Sequence, residues 1–234
     1  MEILFQDEHF IAINKPSGYH VHPPEDRRIK VARDHICLYL VRNLLGQHVY
    51  PVHRLDAATS GILLFALSSA AASKICPLFA EGKVEKTYQA IVRGWTAEEG
   101  RIDLPLESDS TGTLLDSSTL FVRRGKIELN AIVGTRNPTA RYSWVEVYPQ
   151  TGRYHQIRRH FNRISHPLVG DSYHGDSRHN GFFKKELGIF GLCLKAEKLK
   201  ITHPWTGQEV LLTAPPCEKW SKIQELFASE AQRA

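Results

Sequence analysis

The sequence predicts an α+β fold: a mixed, mostly antiparallel central sheet with flanking helices and loops around a cleft. Three observations lead there. Short apolar runs with strand-like alternation recur along the chain. Apolar residues at helical spacing interrupt them in a few places. The two patterns do not follow the regular strand-helix alternation of a parallel, doubly wound sheet. With no internal repeat or low-complexity linker in 234 residues, one continuous domain over residues 1–234 is expected.

Within residues 3–14 two apolar runs flank Gln6-Asp7-Glu8, which predicts a hairpin ending at the turn Lys15-Pro16-Ser17-Gly18. Prolines, histidines and charges across 19–30 predict an irregular surface loop. Ile36, Leu40, Val41, Leu44 and Leu45 recur at helical spacing, and Gly46 supplies the stop. Residues 49–55 read as a strand leading into Asp56-Ala57-Ala58-Thr59-Ser60-Gly61, and the apolar run 62–67 as a buried strand. Ser69 caps a helix to about residue 81, with Pro77 kinking or shortening it. Residues 85–93 alternate as a strand, whereas 96–137 show little sustained periodicity and read as a variable excursion. A strand at 140–148 and the turn Gln150-Thr151-Gly152 precede a basic helix over 154–164. Its Ile157, Phe161 and Ile164 face the core and its arginines the other faces. Strands follow at 190–194, 199–202 and 209–213, the last two joined through His203-Pro204-Trp205-Thr206-Gly207, and a helix over 217–228 closes the chain.

A formal net charge of +5 and a pI near 9.0 favour polyanionic partners without identifying one. Arg153, Arg158, Arg159 and Arg163 fall within eleven residues, joined by His155 and His160. Such a run is either a phosphate-facing surface or a solvated helix face. Cys37, Cys76, Cys193 and Cys217 form neither a Cys-x-x-Cys pair nor a zinc pattern, so reduced thiols and no metal are expected. The N-terminus has no basic stretch before an apolar core, and no apolar run reaches the roughly 18 residues of a membrane span. A cytoplasmic protein with no membrane contact is expected. No Gly-rich phosphate loop or dinucleotide fingerprint is present, so no cofactor is expected either.

The most informative segment is His53-Arg54-Leu55-Asp56-Ala57-Ala58-Thr59-Ser60-Gly61. It puts a carboxylate, two potential cations and two hydroxyls on a turn between apolar strands, a rigid mount for a reactive group. Taken alone, Asp56 could equally accept turn hydrogen bonds, with Thr59 or Ser60 capping the next element. A hydrolase built on His53 and Asp56 is a weaker reading, because no second carboxylate is evident.

As a whole the segment resembles the catalytic motif of the RluA family of pseudouridine synthases, His-Arg-Leu-Asp-x-x-Thr-Ser-Gly, at every fixed position. Further elements resemble that family in order: Lys15-Pro16-Ser17-Gly18, Lys86-Thr87-Tyr88, Thr151-Gly152-Arg153-Tyr154-His155-Gln156-Ile157-Arg158, and Pro167-Leu168-Val169-Gly170-Asp171. The resemblance implies a single catalytic domain, without a separate N-terminal RNA-binding domain, that isomerises a uridine in RNA to pseudouridine and needs no cofactor or metal. It makes Asp56 the catalytic aspartate, Tyr88 the ring stacked near the target base, Arg158 the ion-pair partner of Asp56, and Leu194 the apolar residue beside the base. A neighbouring guanidinium favours the ionised carboxylate.

A uridine in folded RNA must be extruded to reach such a residue, at a cost of roughly a few kcal/mol. By the same resemblance Arg54 reaches into the space the base leaves, while Arg153, Arg159, Arg163 and His155 are placed toward the RNA. Lys195 stands where the family often has histidine. The N-terminal octapeptide, Gly46-Gln47-His48-Val49, Arg158-Arg159-His160 and the segment from Gly170 to Asp176 resemble the TruC branch, which modifies tRNA at position 65. tRNA is therefore the expected partner of a monomer. The alternatives are a ribosomal RNA substrate, or a basic RNA-binding or RNA-folding protein whose main role is not catalysis.

Overall fold

The computed structural model describes residues 1–24, 26, 28, 30–134 and 137–231. In chain order it forms β1 (Glu2–Gln6), β2 (Phe10–Lys15), α1 (Cys37–Leu45), β3 (Tyr50–Pro51), β4 (Ser60–Ala66), α2 (Ser69–Ala80), β5 (Glu85–Arg93), β6 (Glu99–Asp103), β7 (Leu106–Glu107) and β8 (Leu114–Leu115). β9 (Ser118–Leu129), β10 (Ala140–Pro149), α3 (Gln156–Arg163), α4 (Ser177–Lys185), β11 (Leu194–Thr202), β12 (Glu209–Thr213) and α5 (Glu218–Ala231) follow. The fold is α+β; β1 with β2, β2 and β3 with β4, β5 and β9 with β10, β6 with β9, and β11 with β12 pair antiparallel, and β4 pairs parallel with β11. The chain divides into two compact units, each discontinuous in sequence: Met1–Lys86 with Lys195–Pro215, and Thr87–Leu194 with Pro216–Ala234.

In the first unit β4 is central, and all seven of its residues are buried, which is why Ser60–Ala66 shows no alternation. One edge of β4 pairs with β2; the other pairs first with β3 and then, in parallel, with β11 at Lys195↔Ser60 and Ala196↔Gly61. Gly61 has φ +112°, and a Cβ there would stand 2.0 Å from the Ala196 carbonyl oxygen. Only glycine lets β11 come alongside the end of the Asp56 turn. Phe10, Ala12, Ile62, Leu64 and Ala66 pack with Ala71 and Ile75 of α2 and with Leu199, Ile201 and Leu212.

Three expectations change in this unit. The strand expected over 49–55 shrinks to Tyr50–Pro51, because Pro51 lacks a donor and His53 turns its ring inward, where Nε2 accepts the Leu64 N–H at 3.0 Å. The cap of α2 is Ser68, whose Oγ accepts from Ala71 N, rather than Ser69. The strand expected at 190–194 is absent except for Leu194, and the one expected at 199–202 starts there and runs over Leu194–Thr202. Lys195 does not break it, because its side chain is buried and Nζ donates to Ala214 O at 2.7 Å.

In the second unit β5, β10, β9 and β6 pair in that order, with β7 and β8 as a separate ribbon. About half of the excursion expected at 96–137 is thus strand, chiefly β9. Its periodicity is masked by a bulge: Gly125 pairs with Trp144 but Arg123 with Val145, so the sense of the face flips at Arg124. On one side of the bulge Ile127 and Leu129 pack with Phe183 of α4 and Trp220, Ile223 and Phe227 of α5. On the other, Phe121 meets Phe161 of α3 at 5.3 Å. Helix α4 was not expected. Its polar start carries no apolar period, and the helix is set by the Asp176 cap on Arg178 N and by the burial of Phe183. Thr135 and Arg136 of the excursion, and Glu25, Arg27 and Ile29 of the 19–30 loop, lie outside the described residues.

Candidate functional site

In the first unit the Asp56 turn is tied down through its backbone. Thr59 N donates to Asp56 O at 3.0 Å. Ala57 O accepts from Gly18 N (2.8 Å) and from Lys15 Nζ (3.0 Å), and Ala58 O accepts from Ser17 Oγ (2.7 Å). Lys15 is fully buried, and its ammonium also donates to Pro16 O and Tyr19 O, so three donors meet three carbonyls. Burial pulls Lys15 down to about 8, against the opposing influence of Cys37 and Asp56. The turn 16–19 and the Asp56 turn are thereby one braced substructure, with Asp56 half-buried and Arg54 exposed on it. Lys15→Met keeps the length of the side chain but strips these carbonyls of a donor. It is expected to destabilise the protein by about 2 kcal/mol, read as a lower urea midpoint.

His53 takes no part as an acid or base at neutral pH. Its ring stacks on Phe79 at 4.5 Å, and burial, with the Lys86 charge, pushes its pKa down to about 3. With Nε2 already accepting the Leu64 N–H, the ring is a neutral structural acceptor, which removes the base that the hydrolase reading requires.

In the second unit, Gln156 opens α3 with its whole amide engaged. Its Oε1 accepts from Thr151 Oγ1 and Arg153 N, and its Nε2 donates to Ser118 O and Thr119 Oγ1. His155, just before it, holds φ +50°. Arg158 corrects the expectation that the arginines lie on the helix's outer faces. It is buried, and it pairs bidentately with Asp171 through Nε–Oδ2 (2.7 Å) and Nη2–Oδ1 (2.8 Å). Burial alone would raise the Asp171 carboxyl. The Arg158 guanidinium and the backbone N–H groups of His174 and Tyr173 outweigh it and hold the carboxyl below its ordinary value.

The other arginines lie as expected toward solvent or partly so, and each donates to a backbone carbonyl: Arg153 to Asp116, Arg159 to Glu107, and Arg163 to Pro105. These contacts brace the segment between β6 and β9 against α3. His160 is fully buried, with Nδ1 on Thr119 Oγ1 and Nε2 on Leu104 O and Ser117 Oγ, so it is structural. Tyr88 stands half-buried on β5, opposite Val147 of β10, and Leu194 is buried at the start of β11. The second unit therefore gathers Arg153, His155, Arg158, Arg159 and Arg163 on one short segment, whereas Asp56 and Arg54 belong to the first.

Sequence reasoning did not single out Lys15 or Asp171 as individual residues. Each had a signal. Lys15 ends the apolar run Phe10-Ile11-Ala12-Ile13, where a charge has to find partners, and Asp171 follows Gly170 directly after an apolar stretch. Lys195 fills its own position structurally through Ala214 O, which accounts for a long amine there.

Among the described residues, no group of three or more His, Cys, Asp or Glu could hold a metal ion. No helix among them is long and apolar enough to cross a membrane. The sequence profile of the family described as RNA pseudouridylate synthase matches residues 9–163. Relatives named tRNA pseudouridine synthase C, from Vibrio vulnificus (strain CMCP6) and Vibrio parahaemolyticus serotype O3:K6 (strain RIMD 2210633), are 41% and 42% identical over 237 aligned residues. Each alignment covers 97% of this chain and 95% of the relative. Among solved structures, Human RNA Pseudouridylate Synthase Domain Containing 1 matches with a TM-score of 0.70 at 26% identity, covering 92% of this chain and 83% of that one. Human RNA Pseudouridylate Synthase Domain Containing 4 shares the fold, with a TM-score of 0.73 at 22% identity and coverage of 97% and 93%.

Proposed function

Because the chain belongs to the RNA pseudouridylate synthase family, we propose that it isomerises a uridine of tRNA to pseudouridine, with Asp56 as the catalytic carboxylate. The observation that carries the reading is the braced turn that holds Asp56: four hydrogen bonds from Lys15, Ser17, Gly18 and Thr59 fix its backbone. A reacting group on so fixed a mount loses little freedom when substrate binds.

The bond from C1′ to N1 breaks, the base turns while bound, and a bond from C1′ to C5 forms. C5 gives up its proton and N1 gains one, so atoms and charge balance with no redox partner. An ionised Asp56 serves either route open to a carboxylate, attack at C1′ or removal of a ribose proton. Arg158 supplies the charge opposite to Asp56, Tyr88 stacks on the uracil, and Leu194 packs beside it. Arg54 fills the space left in the RNA, while Arg153, Arg159, Arg163 and His155 engage its backbone. This chemistry asks for no cofactor. We take residues 1–234 to act as one catalytic domain, a cytoplasmic monomer. tRNA is preferred because the relatives at 41% and 42% identity are named for it.

The test is release of tritium from RNA labelled at uracil C5, run separately on tRNA and ribosomal RNA, with the product located by a pseudouridine-specific chemical label. Release from tRNA at one position is expected. Release from ribosomal RNA alone would replace the substrate, and RNA binding with no release from either pool would leave an RNA-binding protein.

A further inference from the structure

Tyr173 is 78% exposed, yet the loop that presents it is among the more heavily bonded parts of the second unit. Asp171 Oδ1 accepts the N–H groups of Tyr173 (2.9 Å) and His174 (3.0 Å), while both carboxylate oxygens hold Arg158. Asn180 closes the base of the loop, accepting from Gly170 N at 2.7 Å and donating to Asp171 O at 2.8 Å, and Asn162 of α3 donates to His174 O. Even Gly175 is fixed by crowding, since a Cβ there would stand 2.2 Å from Asp171 O. A loop this constrained, holding a large ring mostly in water, gains little burial energy from that ring. The ring is available to something outside the chain.

Its neighbours indicate what. His155 stacks on the Tyr154 ring at 3.8 Å, and Tyr154 is itself 40% exposed. Tyr173 meets His155 edge to face at 5.9 Å, and His174 lies 3.0 Å from His155 between ring nitrogens. Arg159 and Arg163 extend from the same helix, each with one nitrogen fixed on a carbonyl, so the direction of each fork is set. Flat aromatic faces beside oriented guanidinium groups match a nucleic-acid strand, in which π-faces alternate with phosphates. A protein partner would call for an apolar core that these residues do not supply.

We propose that Tyr173 is a stacking platform for an unpaired base of the RNA. An unpaired base presents an open π-face, and a ring held in place by its own loop can cover it with little loss of freedom. The assignment rests on the RNA-modifying role proposed above and deepens it. Asp171 is the physical link, because the same carboxylate that holds Arg158 sets the backbone of Tyr173.

The test measures the Kd of tRNA for the wild type, Tyr173→Ala and Tyr173→Phe across a salt series, with tritium release as a parallel readout. Tyr173→Ala is expected to weaken binding between about fivefold and a hundredfold, with an unchanged salt slope, because a stacked base and not a phosphate contact is lost. Tyr173→Phe keeps the π-face and should bind as the wild type does. A wild-type Kd for the alanine variant, a phenylalanine variant no better than alanine, or a shallower salt slope would each overturn the assignment. Since Kd is read independently of turnover, wild-type protein that binds RNA but releases no tritium would refute the catalytic reading and leave the stacking test intact.

Discussion

Asp56→Ala is expected to slow tritium release from tRNA by at least about 10³-fold, about 4 kcal/mol of transition-state stabilisation, while moving the melting temperature by no more than about 2 °C. The two halves of this result test different things. The loss of turnover follows from removing the group proposed to react at the ribose. The retained stability follows from how the turn is built, since Lys15, Ser17 and Gly18 grip the carbonyls of Ala57 and Ala58, and Thr59 N bonds the carbonyl of Asp56 itself. Asp56→Asn, which keeps the shape but cannot ionise, should lose as much if the negative charge is what matters. Single-turnover release with saturating enzyme, beside thermal melts, measures both. Turnover above a tenth of wild type would remove Asp56 from the chemistry. A fall in stability as large as that expected for Lys15→Met would make it a structural carboxylate.

What could be read in the sequence is what depends on near neighbours. The run Ile62-Leu63-Leu64-Phe65-Ala66 has to be a strand buried on both faces, and it is; Gly46 ends α1 with φ +65° as a helix stop should. Asp56 could be placed on a turn between apolar segments because both flanks are local. What was hidden depends on partners far along the chain. The alternation of β9 is intact on each side of Arg124 but changes face there, and only pairing with β10 shows it. Lys195 looked like the end of one strand because its acceptor, Ala214 O, lies nineteen residues away. Periodicity groups Arg158 with its solvated neighbours for the same reason, and only the family resemblance sets it apart. Nothing in a basic helix distinguishes the one arginine that is buried, and the distinction comes from Asp171, thirteen residues on. Buried charges are set by tertiary partners, so composition and periodicity misplace them even where the surrounding motif is recognised.

Asp171 is where the second large effect is expected. Asp171→Asn preserves the size of the side chain but takes the Asp171 charge away from the Arg158 guanidinium, which is buried, 6% exposed. Breaking a buried pair from one side typically costs about 3 to 5 kcal/mol, because the remaining ion is not resolvated. The amide oxygen can still accept one of the N–H groups of Tyr173 and His174, so the loss should fall at the lower end, about 3 kcal/mol, and appear as a reduced urea midpoint at pH 7. The pH dependence has a definite sign. The Asp171 carboxyl lies below its ordinary value of 3.8 in the folded state, so its contribution is fully present above that value and is lost as the pH falls through the lower, folded one. Asparagine does not titrate, so the gap between wild type and variant should be widest near neutrality and close progressively below about pH 4. A gap that stays constant down to pH 2 would mean that the ion pair is not its source. Because Asp171 holds both Arg158 and the backbone of Tyr173, the variant should also lose on both kinetic parameters: kcat through the displaced guanidinium and KM through the displaced ring. Tyr173→Ala should move KM alone. A variant that lost kcat with KM unchanged would separate the two roles and place the loop of Tyr173 outside the substrate's reach.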